Sequence, residues 1–281
     1  MRFFDVQSEG ISGMIRVLVF LALIWIALNI FVWLAIDSLM FHPHRAAYGL
    51  EDPGILLVED SGGPVGMMWR PVAGATKTVL FSHGNGQDLG NLTQIAEIIN
   101  ASGYSFLSYD YPGYGVTPGH PTEKGVYRTA EAAYRYLTAD RKIAPENIVL
   151  MGYSIGSGPA CYLAEKFPVA GLIFQCGFTS VGRCYNKYRL TFCDPFPNVR
   201  RLKRIRCPKL FLHGHLDQVV PFNRGREAFA AAAEPKRCVW VKDADHYNLW
   251  LAMRPGEYQK ELREFIGTSS ENLKKEPAAT P

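Results

Sequence analysis

The amino-acid sequence predicts an α/β fold: a mostly parallel sheet with helices on both faces and a short cap insert, preceded by one transmembrane helix. Three observations carry this expectation. From residue 78 onward, apolar runs of strand length alternate with segments whose apolar residues recur at helical spacing, the pattern of repeated strand–helix units. Ahead of them stand two short apolar runs joined by Ser61-Gly62-Gly63-Pro64, a hairpin signature. At the N-terminus, residues 17–36 (VLVFLALIWIALNIFVWLAI) carry no charge, and Asn29 is their one strongly polar residue.

At a rise of about 1.5 Å per residue, that first run crosses a hydrocarbon core about 30 Å thick. A secretory signal would have a shorter apolar core and a small-residue cleavage site, which WLAIDSLMFHP lacks. A core helix of this length would show a polar stripe. The run therefore reads as an uncleaved single-pass anchor behind a flank over residues 1–16. Arg2 and Arg16 precede it and Arg45 follows, a bias that leans toward a cytoplasmic N-terminus and a main domain outside the cytoplasm.

Residues 37–54, punctuated by Pro and Gly, read as a linker into a domain over residues 55–267. The hairpin occupies residues 55–60 and 65–70. A strand over 78–83 leads to a helix over 88–100, with its apolar face at Leu89, Leu92, Ile95, Ala96 and Ile99. A strand over 105–110 precedes a helix over 122–138 whose N-cap is Thr122. A strand over 147–153, a small-residue helix over 155–167 and a strand over 170–176 follow. After an irregular insert over 177–206 come a strand (209–214), a helix (223–233), a strand (238–243) and a helix (247–265). The polar segment 268–281 reads as a disordered tail.

Composition narrows the function classes. A net charge of +4 on 281 residues is too small to indicate a nucleic-acid partner. The six cysteines, Cys161, Cys176, Cys184, Cys193, Cys207 and Cys238, form neither C-x-x-C pairs nor zinc-like spacing with histidine, so no metal site is expected. Cys161 and Cys176 sit in apolar runs as small hydrophobes. Cys184 and Cys193 are close enough in sequence to pair in an oxidising compartment.

The chemistry centres on Gly152-Tyr153-Ser154-Ile155-Gly156, a G-x-S-x-G pentapeptide that is weak evidence by itself in a chain with 26 glycines. Its setting gives it weight. An apolar strand enters it and a small-residue helix leaves it, the context in which such a turn lifts a serine hydroxyl above a sheet edge. A serine nucleophile needs a base and an orienting acid, each beyond a later strand. Asp217 follows the strand over 209–214, and His246 follows the strand over 238–243. His213 and His215 are weaker bases because they lie before or beside the acid. Asp243 and Asp245 read as turn residues, and Asp194 is an alternative acid that follows no strand end. For the oxyanion, the backbone N–H groups of Ile155 and Asn85 are the candidates, the latter in the Gly-flanked loop His83-Gly84-Asn85-Gly86.

These residues resemble the α/β-hydrolase superfamily over about residues 41–265. The pairing of SHGNGQDLGNL with LSYDYPGYGVTPGHPTEKG is similar to a subgroup of membrane-associated serine hydrolases whose mammalian members include protein depalmitoylases, or acyl-protein thioesterases. The resemblance implies the α/β-hydrolase fold, Ser154, His246 and Asp217 as catalytic triad, Asn85 and Ile155 as oxyanion donors, and no cofactor. In this motif Asp110 is expected to brace the loop beside the site. The chain departs from those depalmitoylases in having no cysteine before Cys161; the apolar span stands where they carry a lipidated cysteine cluster, so a protein substrate is not implied.

The resulting expectation is a membrane-anchored serine hydrolase for esters or thioesters, with a fatty-acyl group in view and a small-molecule or acylated substrate. A peptidase of the same fold and a non-catalytic membrane-tethered binding module are the alternatives. Within the insert, Arg183, Lys187, Arg189, Arg200, Arg201, Lys203, Arg204 and Arg206 offer either a surface for anionic head groups or a solvated face. Phe178, Tyr185, Tyr188, Phe192 and Phe196 are either acyl-pocket walls or the insert's own core.

Overall fold

The structure, a computed structural model, describes residues 2–185 and 192–268. Of the expected disordered tail over 268–281, Thr268 is the last residue of a helix and residues 269–281 lie outside the described residues, as do Lys187, Tyr188 and Arg189 of the insert. Eight strands form one sheet in the order β1-β2-β4-β3-β5-β6-β7-β8. These are β1 (Ile55–Val58), β2 (Val65–Arg70), β3 (Thr78–Ser82), β4 (Ser105–Tyr109), β5 (Ile148–Tyr153), β6 (Gly171–Gln175), β7 (Lys209–Gly214) and β8 (Lys236–Val241). The opening hairpin β1–β2 is antiparallel, and β2 meets β4 antiparallel. From β4 to β8 every neighbouring pair is parallel. Strands β3 to β7 are buried along their whole length, which is why they read as unbroken apolar runs rather than alternating ones.

Helices cover both faces. On one, α3 (Glu123–Arg135), α4 (Ser157–Lys166), α6 (Asn198–Leu202) and α7 (Phe222–Ala231) close a core that includes Leu80, Leu107, Leu150, Leu172 and Phe211. On the other, α2 (Thr93–Ala101), α8 (Leu249–Ala252) and α9 (Glu257–Thr268) cover Val79, Phe106, Val149, Ile173 and Leu210. Consecutive residues of each strand supply opposite cores, as the alternation of side chains across a sheet requires. Thr122 caps α3 as expected, accepting a hydrogen bond from Gly125 N–H at 2.9 Å.

Three differences from the expectation go beyond small shifts of element ends. The N-terminal helix α1 (Arg2–Met40) runs past residue 36, so the linker begins at Phe41. Asp37 and Ser38 end the apolar run without breaking the backbone ladder, and the first helix-breaking residue is Pro43. The stretch Gly13–Met40 is long and apolar enough to cross a membrane. The expected helix over 247–265 divides into α8 and α9 at Pro255-Gly256, where Gly256 takes φ 77°. The insert is not wholly irregular: it holds α5 (Val181–Tyr185) and α6. Among the described residues all six cysteines are thiols, so no disulfide joins Cys184 to Cys193.

Candidate active site

The turn after β5 is built by its glycines. Ser154 sits at φ 54°, the left-handed region that L side chains rarely adopt. A β-carbon on Gly152 would collide with the backbone of Gly156 and Ser157, and one on Gly156 would collide with the carbonyl of Ser82 on the adjacent strand. Only glycine at both positions lets β5 turn this sharply into the single 3-10 turn Ser154–Gly156 and then α4. The serine is thereby held half-buried at the C-terminal edge of the sheet.

The loops after β7 and β8 come to the same edge. Asp217 lies beyond Gly214, and His246 beyond Val241. His246 Nδ1 is 2.7 Å from Asp217 Oδ2, and His246 Nε2 is 3.0 Å from Ser154 Oγ. A carboxylate only accepts, so the Nδ1 proton points at Asp217 and Nε2 is left as an acceptor for the serine hydroxyl. Both acid and histidine are buried. Tyr153 fixes the histidine from beneath, donating its hydroxyl to the His246 carbonyl at 2.9 Å.

Asp217 is gripped by more than the histidine. Its Oδ1 accepts from Val219 N–H at 3.0 Å and Val220 N–H at 2.8 Å. His213 Nε2 stands 3.2 Å from Oδ2 and 2.9 Å from the Val220 carbonyl, so it faces two acceptors and carries its proton there. Burial alone would push the Asp217 carboxyl up. The hydrogen bonds from His213 and His246, with that of Val220, outweigh it and hold the carboxyl well below the usual carboxylate range. His213, set aside in sequence as a base, therefore acts on the acid. His215 stacks on Phe222 at 4.1 Å between ring centroids. Asp245 accepts from Tyr247 and Asn248 N–H groups in the turn before α8, Asp243 is exposed, and Asp194 accepts from Ser180 Oγ and Gly182 N–H within the insert.

Asn85 and Ile155 each stand three residues beyond a paired register position, Ser82 against Gly152, so both lie just past the C-terminal ends of the neighbouring strands β3 and β5. The Asn85 side chain is spoken for. Its Nδ2 donates to the Met40 carbonyl at 2.7 Å, and its Oδ1 accepts from Tyr114 hydroxyl at 2.7 Å and His42 N–H at 3.2 Å. Asp110 braces this corner as expected: it accepts from Leu89 N–H at 3.2 Å and from the Tyr48 hydroxyl, and faces His83 Nε2 at 3.4 Å. Among the described residues, Cys176, Asp217 and His246 are a group close enough to share a metal ion. Their atoms are engaged with one another, and burial, with the Asp217 charge beside it, pushes the Cys176 thiol well up, which keeps it protonated and a poor ligand.

The insert residues separate by environment. Phe178 and Phe196 are buried and pack with Phe41 and Tyr127, so they are core. Phe192 is exposed. Arg201 and Arg204 pair with Glu165, whereas Arg183, Arg200, Lys203 and Arg206 face solvent. A cavity of about 250 Å³ opens beside the site, sharing Tyr153 and Tyr247 with it and lined also by Gln87, Asn91, Gln175 and Trp250.

The family profile described as alpha/beta hydrolase fold matches residues 77–194. Human "Alpha/beta hydrolase domain-containing protein 17B" is 36% identical over 213 residues, 74% of this chain and 72% of the human protein. The chain belongs to the α/β-hydrolase family. This α/β hydrolase is also 35% identical over 214 residues to "Alpha/beta hydrolase domain-containing protein 17C" of Xenopus tropicalis, covering 74% of this chain and 67% of that protein. In fold it is similar to an esterase of Pyrococcus furiosus, with a TM-score of 0.67 at 15% identity over 82% of this chain and 98% of that one. It is similar likewise to an alpha-beta serine hydrolase homologue from Coxiella burnetii, with a TM-score of 0.58 at 19% identity over 80% and 100%. As a member of this family it is a hydrolase.

Proposed function

We propose that the protein is a membrane-anchored serine hydrolase that cleaves carboxylic esters or thioesters carrying a fatty-acyl group. The observation that carries this reading is the continuous line Ser154 Oγ, His246 Nε2, His246 Nδ1, Asp217 Oδ2, with spacings of 3.0 and 2.7 Å across its two hydrogen bonds. In the proposed reaction Ser154 Oγ attacks the acyl carbonyl as its proton passes to His246 Nε2. Asp217, held ionised, stabilises the imidazolium. The oxyanion is met by the N–H groups of Ile155 and Asn85. The tetrahedral intermediate collapses when His246 returns the proton to the departing alcohol or thiol, leaving an acyl-serine. Water then repeats the two proton transfers and frees the acid. No cofactor enters these steps.

In this reading residues 17–36 lie in the bilayer within α1, residues 55–267 form the hydrolase domain with its insert at 177–206, and the two arginines before the span against one after it favour that domain outside the cytoplasm. A fatty-acyl substrate follows from a site tethered to a lipid phase. The test is a chain-length series of acyl esters on the full chain in detergent micelles or nanodiscs. We expect kcat/KM to rise at least about tenfold from acetyl to long-chain esters, the gain available from burying only a few methylenes. A flat profile would remove the fatty-acyl part and leave the hydrolase.

A further inference from the structure

Asn29 raises a physical question. A carboxamide in the middle of an apolar span is costly unless its polar atoms find partners. Here both do: Nδ2 donates to the Trp25 carbonyl at 2.9 Å, and Oδ1 accepts from the Phe192 backbone N–H at 2.8 Å. Asn29 is 7% exposed on a helix whose neighbours are open, and the Phe192 ring meets Trp25 at 4.7 Å. Phe192 belongs to the insert between β6 and β7, which enters and leaves the sheet on the hydrolase domain. Asn29 lies about 16 Å along the helix from Met40, where α1 meets that domain. Phe192 thus lies alongside the span near its middle, and Asn29 satisfies a backbone N–H that lipid could not.

The same edge of the sheet carries other apolar groups. Among the described residues outside α1, the exposed large hydrophobic side chains are Leu50, Leu57, Phe192, Leu216, Val219, Tyr247 and Leu251. Leu216 and Val219 sit on the loop after β7 that bears Asp217, Tyr247 on the loop after β8 that bears His246, and Leu251 on α8 just beyond it; Tyr247 touches His246 at 5.2 Å between ring centroids. Helix α1 arrives at this edge too, through the Met40 carbonyl and His42 N–H bonded to Asn85 just beyond β3. By contrast Lys203 and Arg206 precede β7 at the opposite edge of the sheet. An exposed apolar rim continuous with a membrane-spanning helix, with Lys242 after β8 an exposed cation beside it, matches a lipid surface.

We propose that the sheet edge carrying Ser154 faces and contacts the bilayer, with Leu216, Val219, Tyr247 and Leu251 seated at the lipid surface and Phe192 embedded beside the span, so that an acyl chain reaches the serine directly from the membrane. The proposal rests on reading α1 as a membrane anchor. It is tested on the full chain reconstituted in phosphatidylcholine vesicles containing a phosphatidylcholine with a photoactivatable diazirine on its acyl chain. After irradiation, labelled residues are located by peptide mass spectrometry. Label on peptides covering 215–220 and 247–252, in addition to those from α1, is the expected result. Label on α1 alone, or burial of those loops against a second copy of the chain, overturns the docking while leaving the anchor standing. Label on neither overturns the anchor reading, and the docking with it. As a second arm, Leu251→Asp is expected to lower hydrolysis of a vesicle-embedded long-chain ester about tenfold while changing hydrolysis of a soluble short-chain ester less than about twofold. An equal effect on the two substrates, or none on either, counts against the proposal, and the label pattern of the unaltered protein decides independently of how that variant folds.

Discussion

Replacement of Ser154 by alanine is expected to abolish covalent labelling by a fluorophosphonate and to lower kcat for a soluble ester by about 10⁵- to 10⁶-fold. The size follows from the role. Without Oγ there is no acyl-enzyme, and what survives is the modest help that oxyanion donors give to attack by water. The change removes one atom, whose recorded hydrogen bond is to His246 Nε2, so the turn, the glycine contacts and the buried strands are untouched. Alanine meets the same φ of 54° that serine already bears. Thermal unfolding should therefore stay close to that of the unaltered protein. Adding His246→Ala to Ser154→Ala should cost little more, because the two residues act as one unit. Labelling or turnover retained above about one part in a hundred would remove Ser154 from the nucleophile's role.

Asp217→Asn should lower kcat by about 10⁴-fold, with a smaller effect on KM. Asparagine keeps the shape and has one acceptor oxygen instead of two. That oxygen is wanted by Val219 and Val220 N–H, which leaves the amide NH₂ facing His246 Nδ1 and His213 Nε2. His246 answers by moving its proton to Nε2, where it points at Ser154 and cannot accept the serine proton. His213 Nε2–H then confronts another donor. Activity measured against pH and a tautomer-sensitive nitrogen spectrum of His246 would check this; an unchanged kcat would separate Asp217 from catalysis.

The same carboxylate carries a stability signature. Its folded-state affinity for protons is depressed, so it stabilises the fold at pH above about 4, where the unfolded chain's aspartate is also ionised. That contribution fades as pH falls toward the lower folded value. The gap in unfolding temperature between the unaltered protein and Asp217→Asn should accordingly be widest near neutrality and narrow below pH 4. A gap that widened on acidification would mean that the carboxyl is raised, not lowered, in the fold.

Much of this was legible in the chain because the relevant signals are local. The strand before Ser154 is a fully buried apolar run, the glycines around it lie against backbone of the same turn and the adjacent strand, and Asp217 and His246 each follow an apolar strand in order. What sequence could not supply depends on distant contacts. His213 and Asp217 are four residues apart, yet their meeting depends on the turn that brings the Val220 carbonyl back over the ring. Asn85 was read for its backbone, while its side chain is bound by Met40 and His42, more than forty residues earlier. The insert reads as irregular because several of the bonds that hold it reach far along the chain, Phe192 N–H to Asn29 over 163 positions and Phe196 N–H to Glu123 over 73. The break between α8 and α9 is different: Pro255-Gly256 marks it plainly, and the helical spacing on either side obscured it.

The last turn of α1 belongs to two worlds at once. Met40 and Phe41 are buried in the enzyme's own core, Phe41 against Phe196, and the Met40 carbonyl holds the loop that borders the serine. Trimming the chain where α1 ends, after Met40, would thus pull a wedge out of the globular part and release the side chain of Asn85 in the loop after β3. The boundary between tether and enzyme falls inside the helix, upstream of Met40, and a water-soluble form of the protein would have to begin there.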